Sequence, residues 1–158
     1  MTRWYPLEPA DDDFLASAPH IFRYEKRFAA SPDKVWESLT SDASLSTWSS
    51  TIKEVKWTSP RPFGVGATRE VQPQGGPRVK ERYFRWDEGR RHSFYVERAN
   101  LPMFKSLAED YLVEPAGPDA CRFTWTIAAD PTAAGKLGSP LNKRIVEGLF
   151  HDTRRHFS

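Results

Sequence analysis

Apolar and polar residues alternate from position 20 to 29, where Phe22, Tyr24 and Phe28 interleave with Arg23, Glu25 and Arg27. A period of two marks a strand with one buried and one wet face, and Lys26 is its one break. Shorter runs of strand character follow at Ile52–Trp57, 67–71, 79–86, 91–98, 103–113 and 121–128. Turn residues separate them: Pro60, Pro62, Gly64 and Gly66, then Gly75-Gly76-Pro77, Asp87-Glu88-Gly89, and Pro115-Ala116-Gly117-Pro118-Asp119. Strands joined by short turns predict an antiparallel sheet. The period changes twice. Ser31-Pro32-Asp33-Lys34 reads as a helix start, with Ser31 as N-cap and Pro32 at the first helical position. Val35, Trp36 and Leu39 share a face of that helix, which stops before Asp42, and a second short helix runs from Leu45 to Trp48. In the tail from 136 to 157, Leu137, Leu141, Ile145 and Leu149 repeat every four residues, widened by Val146, Phe150 and Phe157. That stripe predicts one long helix with Leu141, Ile145 and Leu149 buried.

The predicted order is one strand, two short helices, six strands and a long helix. Residues 1–19, with Pro6, Pro9, Pro19 and Asp11-Asp12-Asp13, read as an irregular arm. Trp4, Tyr5, Leu7, Phe14 and Leu15 give the arm apolar surface to bury against a single domain at 20–158.

Composition sharpens this picture. The 158 residues fit one domain. Six Trp, five Tyr and ten Phe are a heavy aromatic load that must fill a core or line a cavity. A net charge of +2 gives no reason to expect nucleic acid or an anionic membrane as partner. The single Cys121 excludes a disulfide framework and a cysteine-rich metal site. No secretory apolar core and no membrane-length apolar run is visible, so a cytoplasmic location without stable membrane insertion is expected.

Several segments resemble the START-like or helix-grip superfamily, which includes polyketide cyclase/dehydrase-like and birch-pollen-allergen-like proteins. They are Phe28-Ala29-Ala30-Ser31-Pro32-Asp33-Lys34-Val35-Trp36, Trp48, Gly64-Val65-Gly66-Ala67-Thr68-Arg69, Glu81-Arg82-Tyr83 with Trp86-Asp87-Glu88-Gly89-Arg90-Arg91, and Arg122-Phe123-Thr124-Trp125. The resemblance implies an α+β helix-grip fold. In it a seven-stranded antiparallel sheet wraps around the long C-terminal helix, two short helices follow strand 1, and a hydrophobic cavity lies between sheet and helix. It does not fix the activity.

Register decides which side chains see such a cavity. Pairing the strands on either side of Asp87-Glu88-Gly89 so that partners sum to 177 sets Lys80 against Glu97, Arg82 against Tyr95 and Trp86 against Arg91 on the wet face. Val79, Glu81, Tyr83, Phe94 and Val96 take the other face. Glu81 among apolar neighbours is a candidate acid, base or ligand anchor with a raised pKa; alternatively it pairs with Arg69, Arg98 or Arg122. Glu109 shares a face with Leu107, Tyr111 and Val113. If Phe123, Trp125 and Ile127 face the same way, Glu109 joins Glu81 around the cavity; otherwise it lies outside beside Asp110. The histidines form no metal set: His151 and His156 are five apart on a helix, and His20 and His92 sit on strands. Gly64-Val65-Gly66 leads into a strand and is no dinucleotide fingerprint. Tyr83-Phe84-Arg85-Trp86 with Arg90-Arg91 mixes rings and cations as nucleic-acid-binding sheets do, but interleaved acids make it an amphipathic outer face instead. Cys121 before Arg122 is either a small core residue or a thiol of modestly lowered pKa.

The leading functional expectation is a binder or carrier of a small hydrophobic molecule of lipid or polyketide/aromatic type, without metal or cofactor. Candidate wall residues are Trp36, Trp48, Trp57, Phe63, Glu81, Tyr83, Phe94, Met103, Glu109, Tyr111, Trp125 and Phe150. The alternative is a polyketide cyclase/dehydrase-like enzyme using Glu81 with Tyr83 as acid and base. A third possibility has the arm in the cavity mouth. Either a monomer or a homodimer fits.

Overall fold

The computed structural model describes residues 2–47, 49–137 and 139–157, with the side chains at 45, 47, 137, 139–146 and 149 set aside. Trp48 and the burial expected for Leu141, Ile145 and Leu149 therefore lie outside the described residues. The strands are β1 (Tyr5–Pro6), β2 (His20–Phe28), β3 (Ile52–Trp57), β4 (Thr68–Pro73), β5 (Val79–Asp87), β6 (Arg91–Ala99), β7 (Phe104–Pro115) and β8 (Cys121–Pro131). The helices are α1 (Asp12–Ser17), α2 (Pro32–Thr40), α3 (Ala133–Leu137) and α4 (Ser139–Phe157), with a 3-10 turn at Ser44–Thr47. The helix expected from Lys136 onward is thus two helices, and the arm contains a short strand and a helix where irregular chain was expected.

Local chemistry explains these boundaries. Ser31 Oγ accepts the Lys34 N–H at 3.3 Å and Pro32 opens α2, which buries Val35, Trp36 and Leu39. In the arm, Asp11 caps α1 by accepting the Phe14 N–H. Gly89, at φ 79, lets the chain reverse between β5 and β6, where the Arg90 N–H donates to the Asp87 carbonyl.

Seven strands form one antiparallel sheet in the order β2-β8-β7-β6-β5-β4-β3. The two edges come together: residues of β2 and of β3 border the same cavity, so the sheet is curled. α4 packs on the concave side, where Phe157 stands 5.4 Å from the Phe28 ring and Phe150 stacks 4.5 Å from Tyr24. Buried Asp152 of α4 accepts the Ser50 N–H at 2.9 Å and the Ser50 hydroxyl at 2.7 Å, joining the helix to the start of β3.

The register sets concave side chains in rows. One row runs Trp57, Arg69, Glu81, Val96; the next runs Tyr83, Phe94, Glu109, Ile127, Phe22; a third runs Trp86, His92, Tyr111, Trp125, Tyr24. The expected β5–β6 pairing holds at Glu81–Val96, Arg82–Tyr95 and Tyr83–Phe94, and fails at both ends. Irregularities between Lys80 and Glu81 and between Tyr83 and Arg85 set Lys80 opposite Arg98 and Trp86 opposite His92. At one end Glu97 is an extra residue on β6 between the partners of Lys80 and Glu81; near the tip a three-residue turn shifts the register by one and a bulge at Phe84 restores it. Trp86 consequently faces inward. Glu97 pairs with Arg82, and Lys80 lies over the Trp4 ring at 4.4 Å.

The β6–β7 pairing runs only from Arg91 to Tyr95. Beyond it the strands part, and the arm enters the gap. Leu7 N–H donates to the Glu97 carbonyl at 2.9 Å and Glu8 N–H to the Lys105 carbonyl at 2.8 Å. The arm then passes to the convex face, where α1 packs on β7 and β8 and Asp12 pairs with Arg85. Beneath it, buried Asp110 accepts from the Ser93 hydroxyl at 2.6 Å and from Arg91 Nε at 2.9 Å.

Candidate functional site

The concave interior divides into a filled end and an open one. At the filled end, under α2, six rings gather. Trp57 stacks on Phe63 at 4.0 Å, Trp86 meets Trp36 edge-on at 5.5 Å, and His92 lies 5.1 Å from Tyr83. Glu88, from the hairpin turn, accepts both the Trp36 and the Trp86 indole N–H. These rings pack directly on one another.

At the open end, between the sheet, the arm and α3, lies a cavity of about 530 Å³. Phe22, Tyr24, Ile52, Val71, Val79, Val96, Leu107 and Ile127 supply much of its apolar wall, and Leu7 of the arm borders it as well. Of the residues expected in the wall, Glu81, Glu109, Tyr111 and Trp125 border the cavity. Trp36, Trp57, Phe63, Tyr83, Phe94, Met103 and Phe150 do not. Trp36, Trp57, Phe63 and Tyr83 belong to the filled end. Phe94 is wholly buried in the packed core, Phe150 stacks behind the wall on Tyr24, and the Met103 carbonyl accepts the Thr132 N–H beneath α3.

Three charged groups stand inside this wall. Arg69 and Glu81 are direct cross-strand partners, and Arg69 Nε donates to Glu81 Oε2 at 2.5 Å. Both side chains are nearly inaccessible, at 3% and 5% exposure. The guanidinium also reaches the Ser44 hydroxyl at 3.4 Å and lies over the Trp57, Tyr83 and Phe94 rings, 5.0 to 5.5 Å from their centres. Burial pushes the Glu81 carboxyl up, and the adjacent guanidinium pulls against that rise. For Arg69, burial works toward a lower value, but the charge of Glu81 prevails and holds the guanidinium protonated. The pairing with Arg69, one of the partners expected from sequence, is therefore the one formed.

Glu109 is the third charge. Trp125 and Tyr111 stack with ring centres 5.5 Å apart, and both aim their polar tips at one carboxyl oxygen. Trp125 Nε1 donates to Glu109 Oε1 at 2.7 Å and the Tyr111 hydroxyl at 3.0 Å. Burial, then the nearby Glu81 charge, pushes Glu109 up to about 7. Tyr83, the expected partner in acid–base chemistry, is fully buried behind this wall; its hydroxyl has no hydrogen-bond partner among the described residues, and burial raises its pKa. Cys121 is a buried core residue whose thiol burial pushes up, not down.

Sequence reasoning missed Tyr24, Leu7 and the apolar rim of β4 as wall residues. Alternation does assign Phe22 and Tyr24 to the inner face, but nothing local says that an edge strand closes onto the cavity.

Residues 19–157 match the family described as polyketide cyclase / dehydrase and lipid transport. An uncharacterized protein of Mycobacterium tuberculosis is 36% identical over 124 residues, covering 78% of this chain and 74% of its own. In shape the chain resembles a START superfamily protein from Mycobacterium smegmatis, with TM-score 0.73 and 12% identity over 87% of this chain and 97% of the other. Ginseng major latex-like protein 151 from Panax ginseng gives TM-score 0.66 and 16% identity, again covering 87% and 97%.

Proposed function

This chain belongs to the polyketide cyclase/dehydrase and lipid transport family, and we propose that it binds and carries a small hydrophobic molecule, of lipid or polyketide/aromatic type, in the cavity between the sheet, the arm and α3. The observation that carries this reading is the cavity of about 530 Å³, within the size range of small-molecule sites and walled by apolar side chains with a few placed polar groups. Binding is favoured over turnover by the fate of Glu81. An acid held at 2.5 Å by a permanently charged guanidinium is a poor proton shuttle, and Tyr83 does not reach the cavity.

The test is titration of the full chain with the neutral apolar dye Nile red, followed by fluorescence. One site of roughly micromolar Kd is expected. Leu107→Trp fills the cavity and should abolish binding while leaving the circular dichroism spectrum intact. Dye binding that persists in a folded Leu107→Trp protein would place the site elsewhere. Native mass spectrometry should show a co-purified mass that is lost on denaturation.

A further inference from the structure

The polar atoms of the cavity are few, and most are already used. Arg69 is held by Glu81, so the pair sums to no net charge and its cation is not free for an incoming anion. Trp125 Nε1 and the Tyr111 hydroxyl both donate to Glu109 Oε1, so neither donor is left for a ligand carbonyl. Of the other titratable residues of the wall, His20 and Lys136 are exposed to solvent, and Tyr24 is half-buried with its ring stacked on Phe150. Two carboxylate oxygens of the wall, Glu81 Oε1 and Glu109 Oε2, have no hydrogen-bond partner among the described residues, and of the two carboxylates only Glu81 is paired with a cation. An acceptor flanked by apolar wall and by a second carboxylate favours a donor and repels an anion.

We infer that Glu109 is the specificity-determining residue of the cavity, and that it selects a neutral ligand bearing a hydroxyl group over the carboxylate of the same skeleton. This rests on the cavity being the binding site. A hydroxyl donating to a buried carboxylate makes a charge-assisted bond, which is stronger than a neutral one. A carboxylate at the same place loses its hydration, meets Glu81 and Glu109, and finds no uncommitted cation. At pH 8 Glu109, pushed up to about 7 by burial and by Glu81, is mostly ionised and acts as an acceptor alone.

The experiment is displacement of Nile red at pH 8 by naphthalene, 2-naphthol and 2-naphthoate, three probes sharing one ring system. Wild-type protein should bind 2-naphthol at least about tenfold more tightly than 2-naphthoate, and more tightly than naphthalene. In Glu109→Gln, which removes the charge at nearly constant volume, the naphthol-to-naphthoate ratio should collapse to within about threefold. Wild-type protein that binds naphthoate as tightly as naphthol overturns the inference without any variant. So does an unchanged ratio in Glu109→Gln. If naphthalene displaces the dye and the other two match it, the cavity stands and only the role of Glu109 falls. If Nile red binds in the cavity and none of the three displaces it, the inference falls while the binding function stands; if Nile red itself finds no site, the proposed binding function falls, and this inference with it.

Discussion

Arg69 and Glu81 face each other across β4 and β5 at 2.5 Å, a complete ion pair sunk in the wall of an apolar cavity. Its position follows from register alone: the two are direct partners in the antiparallel ladder, and both side chains point to the concave face. Such a pair costs desolvation of both ions and is stable only while both partners are present. Glu81→Gln should therefore destabilise the protein by about 3–5 kcal/mol at pH 7, because it strands a buried guanidinium. Arg69→Met with Glu81→Leu should recover most of that loss. Urea midpoints of the three proteins decide the matter, and a Glu81→Gln protein as stable as wild type would mean that the guanidinium finds another anion.

Alternation along single strands brings the inner face of β5 and β6 into view, including Glu81, since a side-chain period of two is a local property; it groups Glu109 with Leu107, Tyr111 and Val113 but leaves open which side that face takes. The helix α2 is legible as well, where cap, proline and apolar stripe agree. The bulge at Phe84 was hidden, because a bulge is set by the fit of two strands and not by one. Pairing without the bulge sets Trp86 on the wet face, whereas the bulge turns it inward onto His92. The division of the interior into a filled and an open end was equally out of reach. Periodicity says which face a ring takes; whether that ring meets other rings or empty space depends on how strands from distant parts of the chain converge. The wedge formed by the arm has the same origin, for it answers a gap between β6 and β7 that no segment displays alone.

His92 should make the fold acid-sensitive. Its ring is buried among Trp36, Tyr83, Trp86 and Tyr111 at 5.0 to 5.5 Å, and neither nitrogen has a partner among the described residues. Burial, then the charge of Arg69, pushes it down to about 3, against about 6.5 for a free histidine. Between those values the unfolded chain takes up a proton that the folded chain refuses. Its contribution is thus present above about pH 6.5 and lost as pH falls toward 3, at up to about 1.4 kcal/mol per pH unit. His92→Phe should keep its stability at pH 7 and flatten the acid limb. Urea midpoints at pH 7, 5 and 4 that fall in parallel for both proteins would show that another group governs acid unfolding.

Gly135 is fixed by space. A Cβ there would stand 1.7 Å from the Met103 carbonyl oxygen, a backbone atom that cannot swing aside. That carbonyl already accepts the Thr132 N–H at 3.0 Å, and the Thr132 hydroxyl accepts the Gly135 N–H at 3.1 Å. Gly135→Ala must push α3 off the end of the sheet, at a cost of about 1–3 kcal/mol. Since Gly135 also borders the cavity, Nile red affinity should fall together with the thermal midpoint. A variant with both unchanged would show that this approach is looser than the geometry requires.

Leu7 ties the arm to the cavity. It is buried, borders the cavity, and occupies the gap where β6 and β7 part, while its N–H and that of Glu8 satisfy the Glu97 and Lys105 carbonyls. The remaining hold on this stretch is light: two residues of β1 pair with Arg98 and Ala99, and Trp4 stacks under Lys80. Further on, α1 is anchored separately by Asp12 to Arg85. A segment held by a two-residue ladder, a few bonds at Leu7 and Glu8 and the small buried surface of Leu7 and Ala10 opens more readily than a strand inside the sheet. Leu7→Ala should cost about 2 kcal/mol or slightly more of global stability. It should also raise the rates of Nile red association and release together, because the plug is smaller and less firmly seated. Stopped-flow fluorescence separates the two rates. An association rate equal to wild type, in a variant whose stability has dropped as expected, would mean that the ligand enters by a route other than the β6–β7 gap.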